Sequence, residues 1–241
     1  MPLAAAADRA TALFRRQGDA LRASALETEW LLPNGIGGFA MGTVLGTPTR
    51  RYHGLLVASM HPPVDRIHAL TTFDERLVVD AGSPTAQTIT LTPLHFLGVE
   101  QQPRVHPNLV RFERGHFGCR WRYEIGTPFG DVSLERTVYM FEGRNAVAVR
   151  YAARGHGIPL RLELRPLVRL GDFHELRHED GAPNFRLRTL PNGCVVTDRH
   201  LGLHVHSPEA AFRGQPHWWK NLTYAREQDR GHHQRQQPDS R

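Results

Sequence analysis

Cysteine is almost missing from this chain: Cys119 and Cys194 are the only two in 241 residues. So few exclude a disulfide framework, and their separation lacks the spacing of a metal-binding pair. Both read as small buried side chains, and a reducing cytoplasm is the simplest compartment. Lysine is scarcer still, Lys220 being the only one. No apolar run approaches the roughly 18 residues that a membrane-spanning helix needs, so no membrane partner is expected. The opening "MPLAAAADRATALFRRQGDALRAS" has no long apolar core and no clear small-residue cleavage site, which argues against secretion.

What the chain does have is arginine. The net charge is +6 and the isoelectric point is near 10.0, values that invite a nucleic-acid reading. The arginines alternate with apolar positions instead of clustering, so nucleic acid is not the favoured partner. With 40% hydrophobic residues, the length suits one sizeable domain or two small ones.

Residues 1–26 are expected to form a helix or a loose arm. Beyond Trp30 the pattern becomes that of strands. "WRYEI" sets Trp121, Tyr123 and Ile125 against Arg122 and Glu124, and "PLRLELRPL" sets Leu160, Leu162 and Leu164 against Arg161, Glu163 and Arg165. In "VSLERTVYMF" the residues Val132, Leu134, Val138 and Met140 share a face that Arg136 interrupts, while "NAVAVRY" and "LGLHVHS" repeat the alternation. Strand side chains alternate between faces, so each segment has one apolar and one wetted side, as in packed antiparallel sheets. Turn signals at 142–145, 154–159 and 190–193 separate the segments. The pattern predicts a mostly-β antiparallel sandwich in one domain.

The glycine-rich "NGIGGFAMG" at 34–42 scans from Gly35 as G-x-G-x-x-A, one form of a dinucleotide-binding fingerprint. That fingerprint needs a helix whose N-terminus faces the pyrophosphate. Here Gly42, Gly46 and Pro48 oppose a helix, and no acidic residue lies about 20 positions on, where the text reads Leu55, Leu56 and Val57. The glycines read instead as positive-φ positions or close backbone approaches between strands, and no cofactor is expected.

The stretch "EWLLPNGIGGFAMGTVLGTPTRRYHGLLVAS" at 29–59 carries Glu29, Trp30, Leu31, Asn34, Gly35, Gly37, Gly38, Gly42, Thr43 and Gly46, then "TRRYHGLL" from Thr49 to Leu56. It resembles the N-terminal domain of the bacterial and archaeal type of glycogen debranching enzyme, an amylo-α-1,6-glucosidase. "LRPLVRLGDFHELRHED" at 164–180 is similar to a second segment of that family, with Gly171 where an arginine is usual, and "WWKNLTYAREQDRG" at 218–231 to a third. The resemblance covers about residues 27–231. It implies a supersandwich-like β domain that precedes an α/α-barrel carrying the catalytic carboxylates, with an α-glucan as partner. After Gly231 the text "HHQRQQPDSR" has no apolar side chain, so 232–241 is expected to be a disordered tail and the barrel is expected to be missing or separately encoded.

No general acid or base is assigned to this chain. Its carboxylates sit beside arginines, Glu113 near Arg111 and Arg114, Glu135 beside Arg136, and Glu163 between Arg161 and Arg165, which reads as solvated ion pairs on a sheet face. The candidate binding or interface residues are Asn34, Arg50, Arg51, Tyr52, His53, Trp218, Trp219, Asn221, Glu227 and Arg230. Arg50 and Arg51 offer planar forks of donors, Tyr52 a ring face and a hydroxyl, and His53 a donor and an acceptor. The same residues serve equally for docking a partner domain. Asn34 reads more readily as a turn residue than as a ligand contact. Trp218 and Trp219 suit either stacking on glucose or interface packing, with Glu227 and Arg230 in the docking linker. His204 and His206 share the polar face of a strand but lack a third ligand nearby, so no metal is expected. The alternative function is a freestanding α-glucan-binding module.

Overall fold

In a computed structural model of the chain, residues 14–100, 102–176 and 185–228 are described. Among the described residues, strands hold 52% and helices 5%, so the mostly-β antiparallel expectation is met. Two sheets and a smaller third account for the strands. The first has the order β1 (Phe14–Gln17), β7 (Leu109–Arg114), β8 (Gly118–Thr127), β9 (Gly130–Met140) and β10 (Val147–Arg154). The second has the order β11 (Leu160–Asp172), β5 (Val64–Val79), β4 (Gly54–His61), β3 (Phe39–Thr43) and β2 (Glu29–Pro33), and β6 (Gln87–Thr90) pairs with the far end of β5. The third is β12 (Arg186–Leu190), β13 (Gly193–Asp198) and β14 (Leu201–His206).

The N-terminal arm is not wholly a helix. Residues Phe14–Gln17 extend the first sheet by pairing with β7, and only then does α1 (Gly18–Ser24) begin. Leu21 on α1 is fully buried, so this end is fastened to the core; residues 1–13 lie outside the described residues, as does the 232–241 tail. The turns at 142–145 and 190–193 join paired strands, and that at 154–159 carries the chain from the first sheet to the second.

Alternation does the packing. On β8, Trp121, Tyr123 and Ile125 are buried while Arg122 and Glu124 are exposed. Trp121 from the first sheet meets Trp30 from the second edge-on, ring centroids 5.5 Å apart, and the indole N–H of each finds a backbone carbonyl. Large aromatics with their polar atom satisfied contribute both area and geometry. The sheets thus share one core.

Arg136 departs from the expected solvated pairing. It lies at a buried position of β9, between Leu134 and Val138, where water cannot reach it. Its Nε donates to Glu75 Oε1 of β5 at 2.8 Å, and its guanidinium lies 4.6 Å from the Trp121 ring centroid. Tyr151 of β10 donates to the same Glu75 oxygen, and Thr92 Oγ1 donates to Oε2 at 2.7 Å. Glu135, beside it in sequence, faces the other way and meets Arg120 at 3.7 Å and Arg150 at 4.0 Å. Arg111–Glu113 and Glu163 with Arg161 and Arg165 do pair as the sequence suggested. A buried charge is tolerable only with a partner and full hydrogen bonding, and this one holds the two sheets in register.

Breaking that pair from one side leaves a buried, uncompensated carboxylate. Arg136→Ala is expected to cost about 3–5 kcal/mol of unfolding free energy, whereas Arg122→Ala, which breaks the exposed pair with Glu124, costs less than about 1 kcal/mol. Urea denaturation of the two variants checks this; equal losses would mean that the buried pair does not lock the sheets.

Candidate functional site

The glycine stretch turns β2 into β3 as a hairpin, with no helix after it. Asn34 organises that turn. It is fully buried, its Oδ1 accepts from the N–H groups of Ile36 and Gly38, and its Nδ2 donates to Arg144 O and Asn145 Oδ1. Gly37, at φ +96°, is a steric requirement as well, since a Cβ there would lie 2.5 Å from Pro63 O.

Across the hairpin, residues 49–53 form the loop that enters β4. The amide of Thr49 donates to His53 Nδ1 at 3.1 Å, which leaves the ring proton on Nε2, 3.3 Å from Glu29 Oε1. Arg50 Nε donates to the same Glu29 oxygen at 2.7 Å. Burial pushes the His53 pKa down to about 4, outweighing the raising influence of Glu29, and the Arg50 charge adds to the lowering. His53 is therefore a neutral crosslink near pH 7. Arg50 is committed inside the chain, not presented to solvent.

Behind the loop, His68 of β5 seats Arg169. A guanidinium only donates, so His68 Nδ1 accepts from Arg169 Nη1 at 3.0 Å, and Nε2 faces Thr71 Oγ1 at 3.2 Å. The same Nη1 donates to Arg51 O at 2.8 Å, and Nη2 reaches Asp172 O and Phe173 O at 3.4 and 3.5 Å. Burial, then the charge of Arg169, holds the His68 pKa well below the usual histidine value. Gly54 is small for His68's sake, a Cβ there lying 2.8 Å from its Nε2.

These ties present a surface of rings. Tyr52 lies 4.9 Å from Phe173 and 5.9 Å from His174 by centroid, and Phe39 packs edge-on against Phe173 at 6.3 Å. Arg51 covers the Tyr52 ring at 5.0 Å and Arg66 approaches Phe173 at 5.8 Å. Glu227 of α2 (Ala225–Gln228) comes within 4.0 Å of Arg51 Nε, and Arg226 N donates to Thr49 O at 2.9 Å. Thr49 Oγ1, Arg51 Nε, His53 Nε2 and Glu227 Oε1 are buried without a hydrogen-bond partner. Such orphaned polar atoms beside a ring platform are capacity for a ligand hydroxyl or an ordered water.

The structure thus gathers Arg50, Arg51, Tyr52, His53 and Glu227. It does not bring the tryptophans to them: Trp219 stacks on Phe96 at 5.7 Å and Trp218 tilts over Phe185 at 6.0 Å. Asn221 sits at φ +61° and its carbonyl accepts from Leu97 N. Arg230 lies outside the described residues. Sequence reasoning missed Phe173, His174, Glu29, His68 and Arg169; the first two stand in the quoted "GDFHEL" text, which carried only the family resemblance. Among the described residues no group of three or more His, Cys, Asp or Glu is placed to hold a metal, and no helix is long and apolar enough to cross a membrane. Cys119 is buried, its thiol pushed up to about 12 by that burial, whereas Cys194 is only half-buried.

The family profile described as "Glycogen debranching enzyme N terminal" matches residues 28–237. Comparison with curated proteins and with solved structures gives no match.

A histidine held below its unfolded pKa of about 6.5 binds fewer protons in the fold, so stability falls as pH drops from that value and levels off near 4. His53→Gln removes that titration. Between pH 7 and pH 4 the wild type is expected to lose about 3 kcal/mol more than the variant, read from urea curves at the two pH values. Parallel losses would show that His53 is not buried neutral.

Proposed function

This chain belongs to the glycogen debranching enzyme N-terminal family, and we propose that it is the accessory domain that walls the substrate cleft of a cytoplasmic amylo-α-1,6-glucosidase of glycogen breakdown. The observation that carries this is the ring platform of Tyr52, Phe173 and His174, with orphaned polar atoms on Thr49, Arg51 and Glu227 beside it. A glucose ring has an apolar face of C–H groups and a polar edge of hydroxyls. The rings suit the face and the guanidinium and carboxylate suit the edge.

Cleavage of the α-1,6 bond needs two carboxyl groups flanking it, one of them able to give up a proton. The carboxylates at this face are engaged otherwise: Glu29 accepts from Arg50 and faces His53, and Glu227 approaches Arg51. The cutting groups belong, on this reading, to an α/α-barrel domain or chain that docks against this one, and the present residues orient the glucan. Alone, the chain releases no glucose.

A freestanding α-glucan-binding module is the second reading. It is favoured by the internal pairing of Arg50 with Glu29, which leaves the rings more available to sugar than the charges are to a partner protein.

Affinity electrophoresis through glycogen tests the shared claim. The chain is expected to be retarded, and Tyr52→Ala to weaken retardation by about two- to tenfold, with no glucose released from a branched dextrin. Retardation untouched by Tyr52→Ala and Phe173→Ala would remove the platform from the account, and sustained turnover by the purified chain would overturn the accessory role.

A further inference from the structure

A concavity of about 370 Å³ lies where β5 and β6 meet residues 92–96, residues 103–108 and Trp219. Its volume falls toward the lower end of the roughly 300–1,000 Å³ typical of small-molecule sites. Trp219, stacked on Phe96 with rings 27° from parallel, forms one wall. Asp74 and Arg76, two apart on β5 and opposite in face to Glu75, supply the polar side. Arg76 Nη2 lies 3.1 Å from Asp74 Oδ2, and Arg165 Nη1 donates to the same oxygen at 3.0 Å. Asp74 Oδ1 has only a long 3.4 Å contact from Arg76 Nε, so it keeps acceptor capacity. Asn108 also lines the cavity. Pro93, Pro103 and Pro107 fix the backbone around it, so little ordering is needed on binding.

The lining selects among ligand classes. Phosphate is disfavoured, because Asp74 places a carboxylate in the lining and both Arg76 and Arg165 are already engaged by it. His106 is spent too, one ring nitrogen facing Thr90 O and the other accepting from Asn108 N. An aromatic wall facing a carboxylate–guanidinium pair matches a pyranose, whose ring face packs on indole while adjacent hydroxyls donate to one group and accept from the other.

We infer that this Trp219 pocket is a second α-glucan subsite, separate from the Tyr52 platform, that takes a terminal or short α-linked glucosyl segment. The inference rests on the glucan reading above. The 218–228 segment joins the two places: Trp219 stands at its start, and near its end Arg226 and Glu227 meet Thr49 and Arg51. Two contacts on one branched polymer raise its retention without tightening either contact.

Titration of the full chain with maltotriose, followed by ¹H–¹⁵N NMR, reads the two places separately. The Trp219 indole N–H is expected to shift saturably, to keep doing so in Tyr52→Ala, and to need about three- to tenfold more sugar in Asn108→Ala, a half-buried residue of the lining. Inorganic phosphate should leave it unmoved. An immobile Trp219 signal while the amides of residues 49–54 shift would overturn the pocket and leave the platform standing. Movement of Trp219 alone would support the pocket and remove the platform. No shift at either place, or an equal response to phosphate, would overturn the inference.

Discussion

Glu75 is a carboxylate with no access to water, and the fold is arranged around that fact. Its strand, β5, runs through the second sheet from Val64 to Val79, and at Glu75 it must receive Arg136 and Tyr151 from the opposite sheet and Thr92 from the loop after β6. Desolvating a charge costs several kcal/mol unless such partners are in place. The demand therefore fixes how the sheets sit on each other. Hydrophobic burial around Trp121, Phe112 and Leu134 supplies the drive but tolerates alternatives of similar volume; the ion pair does not.

The same strand carries the consequence to the candidate site. Seven residues before Glu75, His68 seats Arg169, and Arg169 ties the carbonyl of Arg51 to the carbonyls of Asp172 and Phe173. Two segments more than a hundred residues apart are thereby held edge to edge, and the ring platform exists because they are. His53 and Glu29 repeat the device on the hairpin side. Both histidines work as neutral hydrogen-bonding groups whose burial keeps them uncharged, so the loop's shape does not vary with small pH changes near neutrality.

Much of this was legible in the text of the chain. Strands β8 and β14 alternate cleanly because one face of each is wet. β5 does not, since its residues from His68 to Glu75 are buried on both faces, and period-2 patterning vanishes where neither face meets water. Arg136 was visible as an interruption of an apolar face, yet the adjacent Glu135 suggested a solvated pair, and nothing local pointed to Glu75 at a separation of 61 residues. Similarly, "TRRYHG" stood out for its chemistry, whereas Phe173 and His174 became part of the site only through the antiparallel pairing of β11 with β5. Glu29, read as one letter of a motif, turned out to accept from Arg50 and to lie 3.3 Å from His53 Nε2. Local pattern reports which face a residue takes; partners across a sheet are set by topology.

The central claim is that the loop at 49–54 and the turn at 172–175 together contact α-glucan. Amide hydrogen exchange of the chain with and without a branched maltodextrin addresses it most directly. The account predicts slowed exchange at the described amides of both segments and of 224–228, with the Asn34 turn already protected and unchanged. Slowing confined to the third sheet, or none at saturating dextrin, would contradict it.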